Sequence, residues 1–355
     1  MRRIVWFMML SAAVAGSGRL AAQELSAEYT TEMQTNLRAA NWVNLLRAEF
    51  TCPTGGGFHF DLATVSIART RSERLADDLQ VFSNIEEEDC PLALAVAGIR
   101  WQGGASTLFA GIRNVNEDYF TSPVTSLFTN SSCGIFPTLS ANAPVPNYPL
   151  AALGIHYACD TEHWQVQASL YNGTAYNRFA GRQNVFRFCP ASDGLSGIVS
   201  LNCMYHDCIY SFGGAIHHGL VVPAEEAAEG LKSSGTLPTE RRAANIVLWG
   251  YAEQRLASSF HLLLQYSVSP SSGAECSTYA GIGIVKHFRK MQFGLFSDYA
   301  RFAIGSEWAT EATVKVALSE KCSLQPALHC IRTIGCWSCV GLLRLEYGIH
   351  YSRRR

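Results

Sequence analysis

The chain alternates apolar and polar residues with a period of two over many short segments. In segment 27–38, residues such as Tyr29 and Met33 fall on one parity, whereas residues such as Glu28 and Glu32 fall on the other. Successive side chains of a β-strand point to opposite faces. This period therefore predicts a strand with one apolar and one polar face.

The same pattern returns along the rest of the chain. In segment 164–171 the apolar residues oppose Gln165 and Gln167, and segments 260–268 and 342–351 alternate in the same way. Each of these segments is about as long as the ten residues that a tilted membrane strand needs, and roughly a dozen to sixteen candidate strands have that length. The pattern predicts a protein built almost entirely of strands.

Turn signals separate the candidate strands. The sequence PTGGG lies at 53–57, and an Asn-Gly pair, which favours a tight hairpin, lies at 172–173. In segment 92–101 both parities are apolar or small, so the faces of this strand stay unassigned. Segment 223–233 is rich in helix formers and is expected to lie within a long loop.

Alternation fits a soluble β-sandwich as well as a transmembrane barrel, because both bury one face of each strand. Aromatic residues repeat near strand ends, no linker divides the strands, and the last strand ends close to Tyr351. The longest apolar runs, such as 92–99, are shorter than the roughly 18 to 20 residues of a membrane helix. These features favour an all-β, transmembrane, antiparallel β-barrel.

The first residues have the three-part build of a secretory signal peptide. Arg2 and Arg3 precede an apolar run at 4–10, and small residues follow. We predict a signal peptide at 1–22, cleaved between residues 15 and 22, and a barrel domain at 23–355.

Charge and cysteine content limit the partners. Charged residues are 16% of the chain and the net charge is −1, so no basic field for nucleic acid is present. The twelve cysteines of an exported chain permit disulfides. The pairs Cys203/Cys208 and Cys336/Cys339 allow three interpretations: local disulfides, free thiols in strands, and a metal site, although their spacing matches zinc sites poorly.

Sequence signatures of catalysis are missing. The chain has no GxSxG, HExxH or phosphate-loop motif, and AGIGIVK at 280–286 offers only part of a dinucleotide fingerprint. We therefore expect no enzyme and no cofactor. A Ser/His/Asp site assembled from separate strands remains an alternative.

Pore chemistry is easier to find. Segment 109–120 contains Arg113, Asn114 and Asn116, followed by acidic and aromatic residues, which are the groups that can bind a sugar's hydroxyls and apolar faces. From 119 to 149 the alternation stops, and five prolines interrupt the chain. Apolar residues of this long loop are unfavourable in contact with water, so we expect the loop to fold against the lumen wall.

Several tracts resemble the carbohydrate-selective outer-membrane porins, the OprB-like family. They occur in order over most of the chain: EYTTEMQTNLR (28–38), DLQVFSNIE (78–86), TLFAGIRNVNEDYF (107–120), SLFTNSSCGIFPTLSANAPVPNYPLAALGIHY (126–157), WQVQASLYNG (164–173), FRFCPASDGLSGI (186–198), WGYAEQRL (249–256) and SLQPALHCIRT (323–333).

The resemblance implies a sixteen-stranded barrel in the outer membrane of a Gram-negative bacterium, with a constriction that passes sugars by facilitated diffusion. It places Arg113 and Asn116 near the constriction and Arg187 on a lumen face. Three features depart from the family pattern: His329 with Cys330, the cysteine content, and the arginines after Tyr351.

The predicted function is an outer-membrane porin for carbohydrates and other small hydrophilic solutes. Its partners are small sugars and outer-membrane lipid, and the choice between monomer and trimer is left open. The alternatives are a plugged barrel that acts as an enzyme or adhesin, and a soluble exported β protein. The pore-lining candidates are Arg113, Asn114, Asn116, Arg187, Gln165, Gln167, Glu28 and Glu32.

Overall fold

In a computed structural model, residues 23–71, 73–221 and 241–353 are described. The predicted signal peptide at 1–22 and the helix-forming segment at 223–233 lie outside the described residues. The strands are β1 (Gln23–Thr35), β2 (Ala40–Gly55), β3 (Phe58–Arg69), β4 (Cys90–Gly103), β5 (Ser106–Arg113), β6 (Ala152–Asp160), β7 (Trp164–Asn172), β8 (Leu195–Tyr205), β9 (Cys208–Val221), β10 (Arg241–Ala257), β11 (Phe260–Val268), β12 (Cys276–Phe288), β13 (Met291–Phe302), β14 (Gly305–Ser319), β15 (Cys322–Thr333) and β16 (Cys336–Arg353).

The strands form one closed barrel in which each strand pairs with its sequence neighbours. Closure occurs between the first and last strands, where Tyr29 of β1 lies opposite Tyr347 of β16. On its other side, Tyr29 lies opposite Leu46 of β2. All pairings are antiparallel, and closure leaves no strand edge unpaired. The predicted sixteen-stranded antiparallel barrel is confirmed.

The two parities of each strand have opposite surroundings. In β1, Tyr29 and Met33 are exposed on the outer surface, whereas Glu32 and Gln34 are fully buried. Polar residues inside and apolar residues outside reverse the arrangement of a soluble β protein, in which apolar residues fill the interior.

Connections at the two ends of the barrel differ in length. At the end that holds the chain termini, strands join through tight turns, such as His206-Asp207, whose positive φ angles fit a hairpin. At the opposite end lie the long connections 70–89, 114–151 and 173–194. We call this end the loop end. The connections contain two one-turn helices, α1 (Pro137–Ser140) and α2 (Pro190–Asp193), and 3₁₀ turns at Val115–Glu117, Thr125–Leu127 and Ser131–Cys133.

Within the described residues, no helix is long and apolar enough to cross a membrane.

The connection 173–194 covers part of the outer face. Its Val185 packs with Leu94 of β4 and Ile112 of β5, and each of these three residues is buried. By strand register Leu94 and Ile112 point outward, so the outward residues at the start of β4 are apolar because they lie under this connection, whereas Ile99 further along is exposed on the outer surface.

All twelve cysteines are free thiols. Cys330 and Cys339 lie opposite each other on β15 and β16, with their sulfur atoms 3.4 Å apart. Among the described residues, no group of three or more His, Cys, Asp or Glu side chains is arranged to hold a metal ion.

The outer apolar surface generates a depth-dependent prediction. Ile282, exposed in the middle of β12, should tolerate arginine poorly, because the charge would lie within the apolar outer surface of the barrel. We expect Ile282→Arg to lower the free energy of unfolding in lipid vesicles by about 2–4 kcal/mol, measured by urea titration. Phe288→Arg, next to the turn at the end of β12, should lower the free energy of unfolding by only about 0–1 kcal/mol. Equal losses at the two depths would contradict the assignment of this surface to lipid.

Candidate functional site

The long connection 114–151 packs its aromatic side chains against the buried face of β10, β12 and β13. Three of its Phe rings each meet a strand aromatic, with centroid distances of 5.2 Å for Phe120–Trp249, 5.1 Å for Phe128–Phe296 and 5.4 Å for Phe136–Tyr279. All of these rings belong to one buried apolar cluster. Burial of each ring contributes roughly 1.5–3 kcal/mol. The Phe rings therefore dock this irregular segment onto the barrel.

A glycine on β13 provides the space for this docking. A Cβ atom at Gly294 would lie 2.8 Å from Cε1 of Phe128 and 2.9 Å from Cδ2 of Leu127. Such distances are shorter than van der Waals contact, so any larger residue would displace the connection.

Buried carboxylates of the strands fix the backbone of the same connection. Glu311 on β14 accepts hydrogen bonds from the backbone N–H of Thr129, at 2.9 and 3.0 Å, and of Asn130, at 2.9 Å. The Thr129 hydroxyl donates to the same carboxylate at 3.0 Å. Asp298 on β13 accepts from Nδ2 of Asn130 at 2.7 Å. Buried backbone N–H groups need acceptors, and these two residues supply them to the turn at 129–130 and so anchor it.

A third carboxylate holds the beginning of the connection. Glu253 on β10 accepts hydrogen bonds from the Ser122 hydroxyl and from the backbone N–H of Thr125, the latter at 3.3 Å. Ser122 and Thr125 also bond to each other through their hydroxyls at 2.7 Å.

The connection 70–89 forms a second part of the same interior layer. The Leu79 N–H donates to Glu307 on β14 at 2.5 Å, and Gln80 Nε2 donates to Glu307 at 2.9 Å. The Asn84 N–H donates to the Thr129 carbonyl at 2.7 Å, which joins the two connections. We call residues 75–86 and 114–141 together the interior layer.

The interior layer leaves a space beside the inner faces of β16, β1, β2 and β3, although its residues 75–86 also contact β15, β16 and β1. A cavity of about 1000 Å³ lies there between strand residues and the interior layer. It extends from Phe302, beside the β13–β14 hairpin at the loop end, to Glu28, in the half of the barrel nearer the termini. We call it the main cavity. Its charged lining residues are Glu28, Arg47, Glu86, Glu87, Glu117, Arg344 and Glu346.

The two arginines of the main cavity are held by acidic residues. Arg47 on β2 donates to both oxygens of Glu117, at 2.9 and 2.8 Å, and joins the strand wall to the connection 114–151. Arg344 on β16 donates through Nε to Glu32 at 2.6 Å and through Nη2 to Asn84 at 2.5 Å. These pairs set the shape of the cavity and leave both guanidinium groups largely neutralised.

A smaller cavity of about 70 Å³ lies on the other side of residues 119–121. Amide and hydroxyl groups of β7, β8 and β9 line it beside the aromatic rings of Trp249 and Tyr251. Gln165 and Gln167 belong to this wall, where Asn202 donates to Gln165 at 2.7 Å. Amides next to aromatic faces are suited to hydroxylated solutes.

The structure divides the predicted pore-lining residues into four groups. Glu28, Asn114 and Asn116 line the main cavity, and Gln165 and Gln167 line the smaller one. Among them, Asn116 also fixes the connection, because its amide bonds to Gly134 O and Tyr148 N, both at 3.0 Å.

Glu32 and Arg113 lie behind the cavity walls. Glu32 is fully buried under Arg344 and accepts hydrogen bonds from Ser83 at 2.7 Å and Gln34 at 2.8 Å. Arg113 donates to Asp118 at 2.6 and 2.7 Å and lies over the Phe109 ring at 4.8 Å. Neither residue belongs to the lining of the two cavities found in the described chain. Each orders a segment that carries lining residues.

Arg187 differs from its expected place on a lumen face. It lies in the connection 173–194, where it donates to Asp193 at 2.9 and 3.1 Å and to Ser192 at 2.6 Å. Val185, two residues away, packs on outward-facing strand residues. This docking, with Pro190 at the start of α2, removes the segment from any strand face.

The residues that sequence reasoning missed are the acidic anchors, together with Arg47 and Glu86. Glu307 and Glu311 lie four residues apart on β14 and therefore point to the same face, which was a signal readable from the sequence. Their partners in the interior layer are far away in sequence, and no local sequence pattern predicts such contacts.

Comparison with solved structures shows that outer-membrane barrels share this fold. The high-pH structure of Pseudomonas putida OprB aligns over 97% of both chains with a TM-score of 0.72 and 11% identity. A loop-deletion mutant of OmpT, an outer membrane protein of Vibrio cholerae, aligns over 93% of this chain and 100% of its own, with a TM-score of 0.60 and 8% identity. A mutant of the Rh. blastica porin aligns over 92% and 100%, with a TM-score of 0.57 and 10% identity.

The first of these likenesses agrees with the fold implied by the OprB-like tracts of the sequence. No protein-family profile matches the chain. No curated protein matches it either. At these identities the likeness is one of fold.

The Glu311 anchor generates a prediction about the interior layer. Glu311→Ala leaves the backbone N–H groups of Thr129 and Asn130 without their acceptor, at about 1–3 kcal/mol each. We expect the amides of Thr129 and Asn130 to exchange hydrogen faster, while those of β13 and β14 keep their protection. Glu320→Ala, in the turn after the same strand, is the control. Unchanged exchange at residues 129–130 would show that the carboxylate is not the anchor.

Proposed function

We propose that this barrel is an outer-membrane porin through which carbohydrates and other small hydrophilic solutes diffuse. The main cavity carries the proposal. It lies inside a closed barrel, has a volume of about 1000 Å³, and reaches from the loop end into the half nearer the termini. Charged and amide groups line it, so water and hydrated solutes can occupy it.

The outer surface supports a membrane location. Large apolar residues are exposed on strands around the barrel, among them Leu108, Val199, Leu248, Ile282 and Leu343. A soluble protein rarely exposes such a continuous apolar surface. A closed barrel satisfies its backbone hydrogen bonds internally and can therefore place that surface in lipid. The signal peptide predicted at 1–22 agrees with export to the outer membrane.

Carbohydrates fit the mixture of groups on the two cavity walls. A sugar presents hydroxyls that need both donors and acceptors, and apolar C–H faces that pack on aromatic rings. The main cavity offers Asn114, Asn116 and carboxylates, and the smaller one offers Gln165 and Gln167 beside Trp249. Residues 119–121 separate these two surfaces.

A catalytic alternative deserves comparison, because the structure contains a buried Ser–His–Asp chain. His156 Nδ1 lies 2.8 Å from Ser169 Oγ, and its Nε2 lies 3.4 Å from Asp118. Asp118 already accepts hydrogen bonds from Nε and Nη2 of Arg113. The Ser169 hydroxyl is also hydrogen-bonded to the Tyr119 hydroxyl, at 2.8 Å. Ser169 is 8% exposed and His156 4%. A nucleophile must reach its substrate, so this network orders the start of the connection 114–151.

The proposal predicts stepwise ion conductance from the purified protein in a planar bilayer, reduced by glucose or maltose. Narrowing the main cavity should lower that conductance. Ser126 is exposed to this cavity, and we expect Ser126→Trp to reduce single-channel conductance by roughly half, because the indole fills part of the path.

Ser272→Trp is the matched control. Ser272 is exposed in the connection between β11 and β12 and is absent from the residues that line the two described cavities. A wild-type barrel that inserts but never conducts would refute the proposed function. Equal conductance of the two tryptophan variants would remove the main cavity from the path.

A further inference from the structure

The main cavity has an excess of acidic side chains without ion-pair partners. Among the described residues, Arg47 and Arg344 are the only basic side chains that line it, and acidic groups hold both. Glu346 is paired with Lys315. Within the same described set, Glu28, Glu86 and Glu87 form no salt bridge. The charge that the wall presents to a solute is therefore negative.

Glu86 is the unusual member of this group. The residue is only 7% exposed, and neither carboxylate oxygen has a hydrogen-bond partner among the described residues. A buried carboxylate without a partner is costly. Burial, together with the negative charge of Asp78, raises the pKa of Glu86 to about 7. A group of this kind gains most from a cation placed beside it.

Two further oxygen atoms of residues that line the main cavity lack partners. The Oδ1 atom of Asn114 and the hydroxyl of Tyr148 are buried, and neither finds a hydrogen-bond partner among the described residues. Both residues line the main cavity together with Glu86.

We infer that Glu86, assisted by Glu87 and Glu28, makes the main cavity a path that selects positively charged groups, either a monovalent inorganic cation or the ammonium group of a solute such as an amino sugar. This inference rests on the proposed porin function. The described residues provide no cluster of three or more metal-ligating side chains, so the site fits a passing single charge and not a resident metal.

Reversal potentials across a planar bilayer with a KCl gradient test the inorganic cation. The wild-type barrel should pass K⁺ in preference to Cl⁻, measured at about pH 8 so that Glu86 is mostly ionised. Glu86→Gln should lower the K⁺/Cl⁻ permeability ratio by roughly two- to fivefold, since one charge close to the path is removed. Glu86→Asp keeps the charge and should retain most of the ratio.

Glu73→Gln is the matched control, because Glu73 lies in the same connection but is exposed and does not line the main cavity. Its permeability ratio should equal that of the wild type. A Glu86→Gln barrel that conducts with an unchanged ratio would overturn the inference and leave the porin function standing. A wild-type barrel without conductance would overturn the porin function itself.

A second experiment distinguishes an inorganic cation from the ammonium group of a solute. Protonated glucosamine and glucose are compared as blockers of the wild-type current and of the Glu86→Gln current. Weaker block by glucosamine alone in the variant assigns the site to amine-bearing solutes. A change in the K⁺/Cl⁻ ratio without a change in either block assigns it to inorganic cations. If neither quantity changes, Glu86 has no role in selection.

Discussion

The structure depends on the hydrogen bonds between strand carboxylates and the backbone of the interior layer. Glu311 binds the N–H groups of Thr129 and Asn130, and Glu253 and Glu307 do the same for Thr125 and Leu79. A connection inside a barrel carries polar backbone groups that must find partners away from bulk water. The inward parity of the strands supplies those partners, and the Phe rings between them supply apolar contact.

This attachment is uneven around the barrel, and the position of the main cavity follows from it. Residues 114–141 pack their aromatic rings on β10, β12 and β13, and residues 75–86 also contact β15 and β16. The main cavity remains between the interior layer and the inner faces of β16 and β1 to β3. Arg47 with Glu117 and Arg344 with Glu32 join the two sides across this space. Acidic side chains therefore have two roles. Those that accept hydrogen bonds from the backbone hold the interior layer in place, and those without ion-pair partners line the main cavity.

Much of the fold could be predicted from the sequence, because a period of two is a local signal that strand geometry imposes. The parity of Glu28 and Glu32 in β1 is the predicted one. The lining of the two cavities could be predicted from the sequence only in part. Asn114 and Asn116 line the main cavity. Arg113, directly before Asn114, instead donates hydrogen bonds to Asp118. Arg187 follows a connection that docks on the outer face. Such outcomes depend on contacts between distant segments, which one sequence does not reveal.

The central claim is that the space between the interior layer and the β16–β3 wall is an open path for hydrated solutes. Swelling of proteoliposomes in isosmotic sugar solutions tests it most directly, since it reports solute entry without requiring charge. The account predicts rapid swelling in glucose, slower swelling in maltose, and slower still in larger oligosaccharides. Swelling no faster than that of protein-free liposomes in every sugar would contradict it.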